Sequence, residues 1–328
     1  MKSVKKVFCT AALFVGSVVG AGFATGQEVS LFFGKDGVWG LFLSALFMAV
    51  CAFAFLQAGA RGRHLPPRVK TVADAVVSLC SFAVYAAMIA AAEEVLFGLT
   101  GQRGLAVFLA VGMVFLSGER TEALSALNLL AVPMMTAIVV LVGARAGKGV
   151  SGGFHPIAAL CYGGMNLLFS GALLMKEGEN ATFRERVGAS LVSGAVIFLM
   201  LYFMRRCVTD GGDMPFLIAA HKDGLGKVAQ ISLLLAIVTT MASCAFLSID
   251  GLTRLSGDRI FAAGVVTVCG ILISGFGFAR IVKTTYPVVS YLGLALSLFV
   301  LAAPALAFLK KRGAQSGIPI DKPPPHTI

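Results

Sequence analysis

Apolar residues in this chain come in long runs separated by short polar gaps. Ten runs, at residues 7 to 32, 38 to 60, 72 to 99, 104 to 118, 122 to 144, 153 to 175, 187 to 205, 227 to 249, 259 to 277 and 286 to 309, reach or approach the length a helix needs to cross a bilayer. The pattern predicts an all-α polytopic membrane protein of about ten transmembrane helices. The fourth run is short and is expected to tilt in beside its neighbours. The longest outer gap, 206 to 226, holds Gly211 to Ala220, which predicts a short helix over the outer mouth. Residues 313 to 328, with Pro323, Pro324 and Pro325, read as a disordered cytoplasmic tail.

Composition agrees with the lipid bilayer as the partner. The chain is 58% hydrophobic and 13% charged, more apolar than a soluble domain. Its net charge of +11 is no nucleic-acid footprint, because the lysines and arginines fall in the gaps between runs. Their bias toward alternate gaps (Lys2, Lys5 and Lys6, then Arg61, Arg63, Arg68 and Lys70, finally Lys310, Lys311 and Arg312) places both termini in the cytoplasm, with the protein in the cell inner membrane. Lys2 to Lys6 before an apolar run also resembles a signal peptide, but the run continues to Phe33, so it is read as a retained span. The seven cysteines show no metal-ligand spacing, the four histidines show no recognisable base–nucleophile arrangement, and no phosphate-binding loop occurs. A membrane enzyme would need a catalytic cluster that the sequence does not offer, and no cofactor is implied.

The first run is unusual. Gly16, Gly20, Gly22 and Gly26 interrupt it, and Glu28 follows. In hydrocarbon an unpaired backbone group is costly, so a broken helix survives only where the freed groups face protein, water or a ligand. A second interruption is expected in the sixth run, where Gly163 and Gly164 stand near Asn166. Each opens a block of five runs, residues 1 to 145 and 146 to 312, the hydropathy symmetry of a 5+5 inverted repeat with helices 1 and 6 broken. Close helix packing through small residues is the competing reading of the same glycines.

Direction gives the two breaks chemistry. Amides near Gly20, Ala21, Gly22 and Phe23 suit a carboxylate, while carbonyls near Gly16 and Val19 suit a cation. In the sixth run, carbonyls of Leu160, Cys161 and Tyr162 are expected to accept from an ammonium, with Gly163, Gly164 and Asn166 completing the site. A carboxylate and an ammonium together make an amino acid.

Gly16-Ser17-Val18-Val19-Gly20-Ala21-Gly22 resembles the broken first helix of the amino acid–polyamine–organocation superfamily and of the sodium-coupled neurotransmitter symporters. Ala236-Ile237-Val238-Thr239-Thr240 is similar to the stretch with which those symporters complete a sodium site. The resemblance implies the leucine-transporter-like fold and Na⁺ held by Gly16, Val19, Ala236, Thr239 and Thr240. More narrowly, Gly20 to Glu28 with Tyr162 to Asn166 resembles the YkvI-type bacterial membrane proteins, classed as amino acid permeases. Residues 187 to 204 contain no asparagine for a second sodium site. Residues 124 to 143 contain no lysine of the kind proton-coupled relatives use, which favours sodium.

Three acids fall inside apolar runs: Glu28, Glu93 and Glu94. Acids at such depth face a cavity or a partner. They are candidates for coupling or gating, Glu28 as a proton carrier or as a partner of Arg103 or Arg280 at the outer mouth, and ion pairing near the interface is the plain alternative. Asp74 reads as a surface residue at a helix start, and Asp250, with Arg254 or a basic loop residue, as an inner gate. The expectation is an ion-coupled secondary transporter of an amino acid or related amine or carboxylate solute, working by alternating access. A proton-coupled exchanger of the same fold and a non-transporting sensor are the alternatives. Substrate identity and oligomeric state are not legible.

Overall fold

Apolar runs of this length in lipid must satisfy their backbone internally, and the chain does so as helices. The computed structural model describes residues 2–62, 67–117, 121–146, 149–208 and 214–315. His64, Arg120, Gly211 to Asp213 and the expected tail from residue 316 onward lie outside the described residues.

The helices are α1 (Lys2–Val18), α2 (Ala21–Ala24), α3 (Gln27–Phe33), α4 (Val38–Ala60), α5 (Pro67–Thr100), α6 (Leu105–Ser117), α7 (Thr121–Arg145), α8 (Pro156–Glu179), α9 (Phe183–Cys207), α10 (Pro215–Lys222), α11 (Gly226–Ser256), α12 (Arg259–Ser274) and α13 (Phe278–Gln315). Among the described residues, six helices are long and apolar enough to cross a membrane, and three shorter apolar helices (Leu105–Phe115, Pro133–Arg145 and Arg259–Ser274) accompany them. Local chemistry sets several starts. Pro156 and Pro215 open α8 and α10, where a missing N–H costs nothing. Thr182 and Glu185 form a reciprocal capping box on α9, and Asp258 accepts from the Ile260 and Phe261 amides at the start of α12. The expected outer helix is α10.

The packing falls into two groups. α1, α4, α8 and α9 pack on one another, as do α5, α6, α11 and α12; α7 and α13 touch members of both. Trp39, Phe108, Phe115 and Leu272 stay exposed on the outer faces, as lipid contact requires.

The sixth run corrects the sequence reading. α8 is a continuous helix from Pro156 to Glu179, with no break at Gly163 or Gly164. Its glycines serve contact. A β-carbon on Gly163 would meet Phe47 and Met48 of α4, one on Gly171 would meet Phe55, and one on Gly178 the backbone of Leu56. On another face, Gly164 lies against the backbone of Gly293 and Leu294 in α13. Small residues let membrane helices approach backbone to backbone, and here that use prevails over a break.

Candidate solute-binding cavity

The first run is interrupted as expected, and twice. α1 stops at Val18; Val19 and Gly20 are non-helical, and α2 restarts with the Ala24 amide on the Gly20 carbonyl at 3.0 Å. A second interruption follows at Thr25 and Gly26. The Thr25 hydroxyl donates to the Gly22 carbonyl at 2.8 Å and accepts from the Gln27 amide at 3.2 Å, a local turn in place of helix bonds. Gly26 takes φ 78°, which other residues rarely adopt, and the Phe216 amide of α10 donates to the Thr25 carbonyl at 3.2 Å. The short helix α10 therefore seals this end of the broken segment.

A cavity of about 820 Å³ lies between the two helix groups. It starts beside Lys5, Phe8 and Cys9 of α1, all on the exposed side of that helix, or half so, and ends at Gly20, Gly22 and Glu28. Lys5 is about 20 Å along the helix from Val18 at 1.5 Å per residue. The cavity thus opens toward the N-terminal end of α1 and is closed at the α10 end. Asn166 and Phe169 of α8 form one wall; Thr239, Thr240, Ser243 and Cys244 of α11 form the facing one, with Tyr286 of α13.

Of the residues expected to bind solute, Gly20, Gly22 and Asn166 are on the cavity wall. Ala21 contributes its main chain to α2. Phe23, Cys161 and Tyr162 are buried within protein and do not line the cavity. Tyr162 packs edge-on against Phe32 and Phe33, with ring centres 5.7 and 5.1 Å away. Gly163 and Gly164 are packing surfaces. The carbonyls expected to receive an ammonium are those of an intact helix, and that of Tyr162 also accepts from Asn166 Nδ2 at 3.0 Å. Of the residues assigned to sodium, Gly16, Thr239 and Thr240 line the same cavity, and Val19 and Ala236 are buried just off the wall. The Thr239 hydroxyl donates to the Ala236 carbonyl at 3.0 Å, and a β-carbon on Gly20 would sit 3.3 Å from Thr240 Oγ1.

The three acids separate sharply. Glu93 accepts from the Gly104 amide at 2.7 Å and the Ala106 amide at 3.4 Å, so it holds the start of α6, and it is not on the wall of the central cavity. Glu94 is exposed and borders a shallow recess with Met214, Ile218 and Lys222 of the α10 region. Neither fits a coupling role in the central cavity, and the reason is position: both stand near the end of α5, beside the loop to α6. Glu28 alone reaches the cavity. It is 7% exposed, its Oε1 lies against the Cα of Gly22, and its Oε2 has no hydrogen-bond partner among the described residues. The expected pairing with Arg103 or Arg280 does not occur: the Arg103 guanidinium sits 4.3 Å from the centre of the Phe97 ring, and Arg280 is exposed. Asp74 is on the surface as expected, its side chain 41% exposed, but within α5, which starts at Pro67, and Arg254 donates to it at 2.8 Å, tying α5 to α11, and to Asp250 at 2.7 Å within α11.

The fold has close company among solved transporters. It matches the inward facing conformation of Mhp1 with a TM-score of 0.61 at 16% identity, covering 88% of this chain and 73% of that one. It matches MhsT in complex with L-phenylalanine with a TM-score of 0.60 at 15% identity, covering 88% and 87%. The fold is that of the leucine-transporter type. A closed conformation of Mhp1 with bromovinylhydantoin bound matches less well, with a TM-score of 0.54 at 17% identity over 86% of this chain and 74% of that one. In sequence the chain is 22% identical over 330 residues to the uncharacterized membrane protein YkvI of Bacillus subtilis (strain 168), covering 87% of this chain and 92% of that protein. No protein-family model matches.

One feature of the closed end escapes sequence reading. Asp36, fully buried, accepts from the His155 main-chain amide at 3.1 Å and contacts its ring nitrogen Nδ1. Gly37 and Gly153 bond across the same junction at 2.9 Å, and Arg205 of α9 donates to the Gly34 carbonyl at 3.0 Å and the Asp36 carbonyl at 3.3 Å. This latch joins the α3–α4 loop to the α7–α8 loop. Residues 119 positions apart carry no local signal of such a meeting.

Proposed function

We propose that the chain is a secondary transporter that carries an amino acid or a related small amine or carboxylate solute across the cytoplasmic membrane by alternating access, coupled to Na⁺. One observation carries the reading: a polar-ended cavity between two helix groups reaches the interrupted first helix and opens at one end only. Movement of one group against the other would close the α1 side and open the α10 side around a fixed site. The likeness to MhsT, solved with L-phenylalanine, supports this choice of solute class, and the likeness to Mhp1 supports the transporter fold. The reading counts α1 to α3 as one span and α4 to α9 and α11 to α13 as nine more, ten in two halves of five with both termini cytoplasmic. Sodium would sit where Gly16, Thr239 and Thr240 meet, held by carbonyl and hydroxyl oxygens, the donors a hard cation takes.

The test is uptake of radiolabelled amino acids into proteoliposomes. An inward Na⁺ gradient should drive accumulation, and a sodium ionophore should abolish it. Uptake that follows a proton gradient instead would support exchange through Glu28, whose unpartnered oxygen favours that second reading. Binding without accumulation under either gradient would leave a sensor.

A further inference from the structure

An anion at the Gly20 to Phe23 amides would not be alone. Chain reversal at Gly26 brings Glu28 back onto the interrupted segment, and the bare Cα of Gly22 lets its carboxyl group lie directly on the main chain there. The space that sequence logic reserves for a substrate carboxylate is bordered by a carboxylate of the protein's own. Two negative groups in contact at membrane depth repel strongly, because little water screens them.

The other half of the expected site is missing as well. Carbonyls of Leu160, Cys161 and Tyr162 cannot serve as a helix end for an ammonium, since α8 runs through them unbroken. Among the described residues, Glu28 Oε2 is the buried, unpartnered oxygen that lines the cavity. The charged groups on the cavity wall are Glu28 at the closed end and Lys5 at the open one, too far apart to pair. A solute bound beside Glu28 therefore meets a carboxyl group with a vacant acceptor oxygen, which an ammonium would fill and hold in its charged form, in a cavity that Thr240 and Tyr286 also line.

We infer that Glu28 is the solute's amine ligand: the solute enters with an ammonium group toward the first-helix break, and a carboxylate on the solute is not required there. This rests on the reading of the cavity as the transport site and narrows its substrate class to ammonium-bearing solutes. An amino acid satisfies it with its amine at Glu28 and its carboxylate away from the break; a plain amine satisfies it equally.

The experiment uses the purified full-length protein and matched sets of probes: L-phenylalanine, phenethylamine and 3-phenylpropionate; L-leucine, isopentylamine and 4-methylpentanoate; and putrescine. Binding is read by thermal shift and calorimetry for the wild type, Glu28→Gln and Glu28→Asp, with Ser243→Phe to fill the cavity and locate the site. Amine-bearing members of at least one set should bind the wild type, their carboxylate-only partners should not, and Ser243→Phe should remove the binding. Glu28→Gln, which keeps shape and loses charge, should weaken it about tenfold to a hundredfold, and Glu28→Asp should weaken it less. Cavity binding by 3-phenylpropionate or 4-methylpentanoate, or amine binding unchanged in Glu28→Gln, would overturn the assignment while leaving the transport site standing. No binding by any probe to the wild type would overturn the transport-site reading, and this assignment with it.

Discussion

Glu28 rests its carboxylate on the Cα of Gly22, six residues earlier, and leaves no room for a β-carbon there. The contact makes Gly22 a positioning residue. Gly22→Ala should push the carboxylate away from the break and weaken cavity binding about tenfold, with the protein still inserted and monodisperse. Gly20→Ala is the control, because its β-carbon would meet the Thr240 side chain no closer than 3.3 Å, and its effect should be smaller. Equal affinities of Gly22→Ala and wild type in calorimetry would show that Glu28 acts from elsewhere.

Packing rather than binding is expected at α8. Gly164→Ala forces the α8 and α13 backbones apart at Gly293 and Leu294, an overpacking that costs about 1–3 kcal/mol. Thermal unfolding in detergent should register the loss while the affinity of any cavity ligand stays within about twofold. A large affinity change at unaltered stability would point back to a binding role for this glycine.

These two sites show what the sequence makes legible. A glycine-rich stretch in a membrane run marks a place where backbone comes close to something, and at Gly20 and at Gly164 it does. Whether that something is a cavity or another helix is decided by partners far away in the chain: Thr240 for Gly20, Gly293 and Leu294 for Gly164. Local pattern is silent on those. The apolar runs themselves are read well, since in lipid each must close its own hydrogen bonds, and most observed helices fall on a predicted run. Glu28 shows the limit from the other side. Its depth is visible in sequence, but its aim follows from one positive φ at Gly26 and the docking of α10, so Arg103 and Arg280 looked equally good as partners.

The closed end depends on Asp36. It is fully buried, and the His155 amide and ring both engage it, whereas the His155 side chain is 54% exposed. Asp36→Ala leaves the amide without its acceptor and should cost about 1.5–3 kcal/mol, seen as a lower Tm. His155→Ala keeps the main-chain bond and should cost clearly less. If alternating access operates, Asp36→Ala should also raise cysteine-reagent access from the α10 side, while similar Tm losses in both variants would assign the latch to the imidazole.

Arg254 makes the contrasting case. Its two ion pairs, with Asp74 and Asp250, have side chains 60%, 41% and 39% exposed. Exposed pairs contribute about 0–1 kcal/mol, and salt weakens them. The pair with Asp250 lies within α11, and the pair with Asp74 links α11 to α5 of the same helix group, so breaking them opens nothing between the groups. Arg254→Ala should change Tm by only a degree or two and leave uptake intact, and abolished uptake at unchanged stability would restore Arg254 as an inner gate.

Sodium provides the sharpest division between the coupling schemes, because its oxygens and the amine's are on different side chains. Thr239 and Thr240 line the cavity from α11, and Thr240 approaches the α1 break at Gly20. A cation held between them would fix the end of α1 against α11, and through Gly20 the position of Gly22 and Glu28. In wild-type protein, saturating Na⁺ should therefore raise Tm relative to choline, by about 2.7 kcal/mol of stabilisation at a hundredfold excess over Kd. It should also tighten amine binding. Thr240→Val keeps the volume and removes the hydroxyl, so both effects should vanish while Na⁺-independent amine binding persists at the weaker wild-type level in choline. Glu28→Gln should do the reverse, losing amine affinity and keeping the Na⁺ shift. If Glu28→Gln instead abolishes the Na⁺ shift, the cation is bound by the carboxylate itself, and the two sites must be redrawn as one.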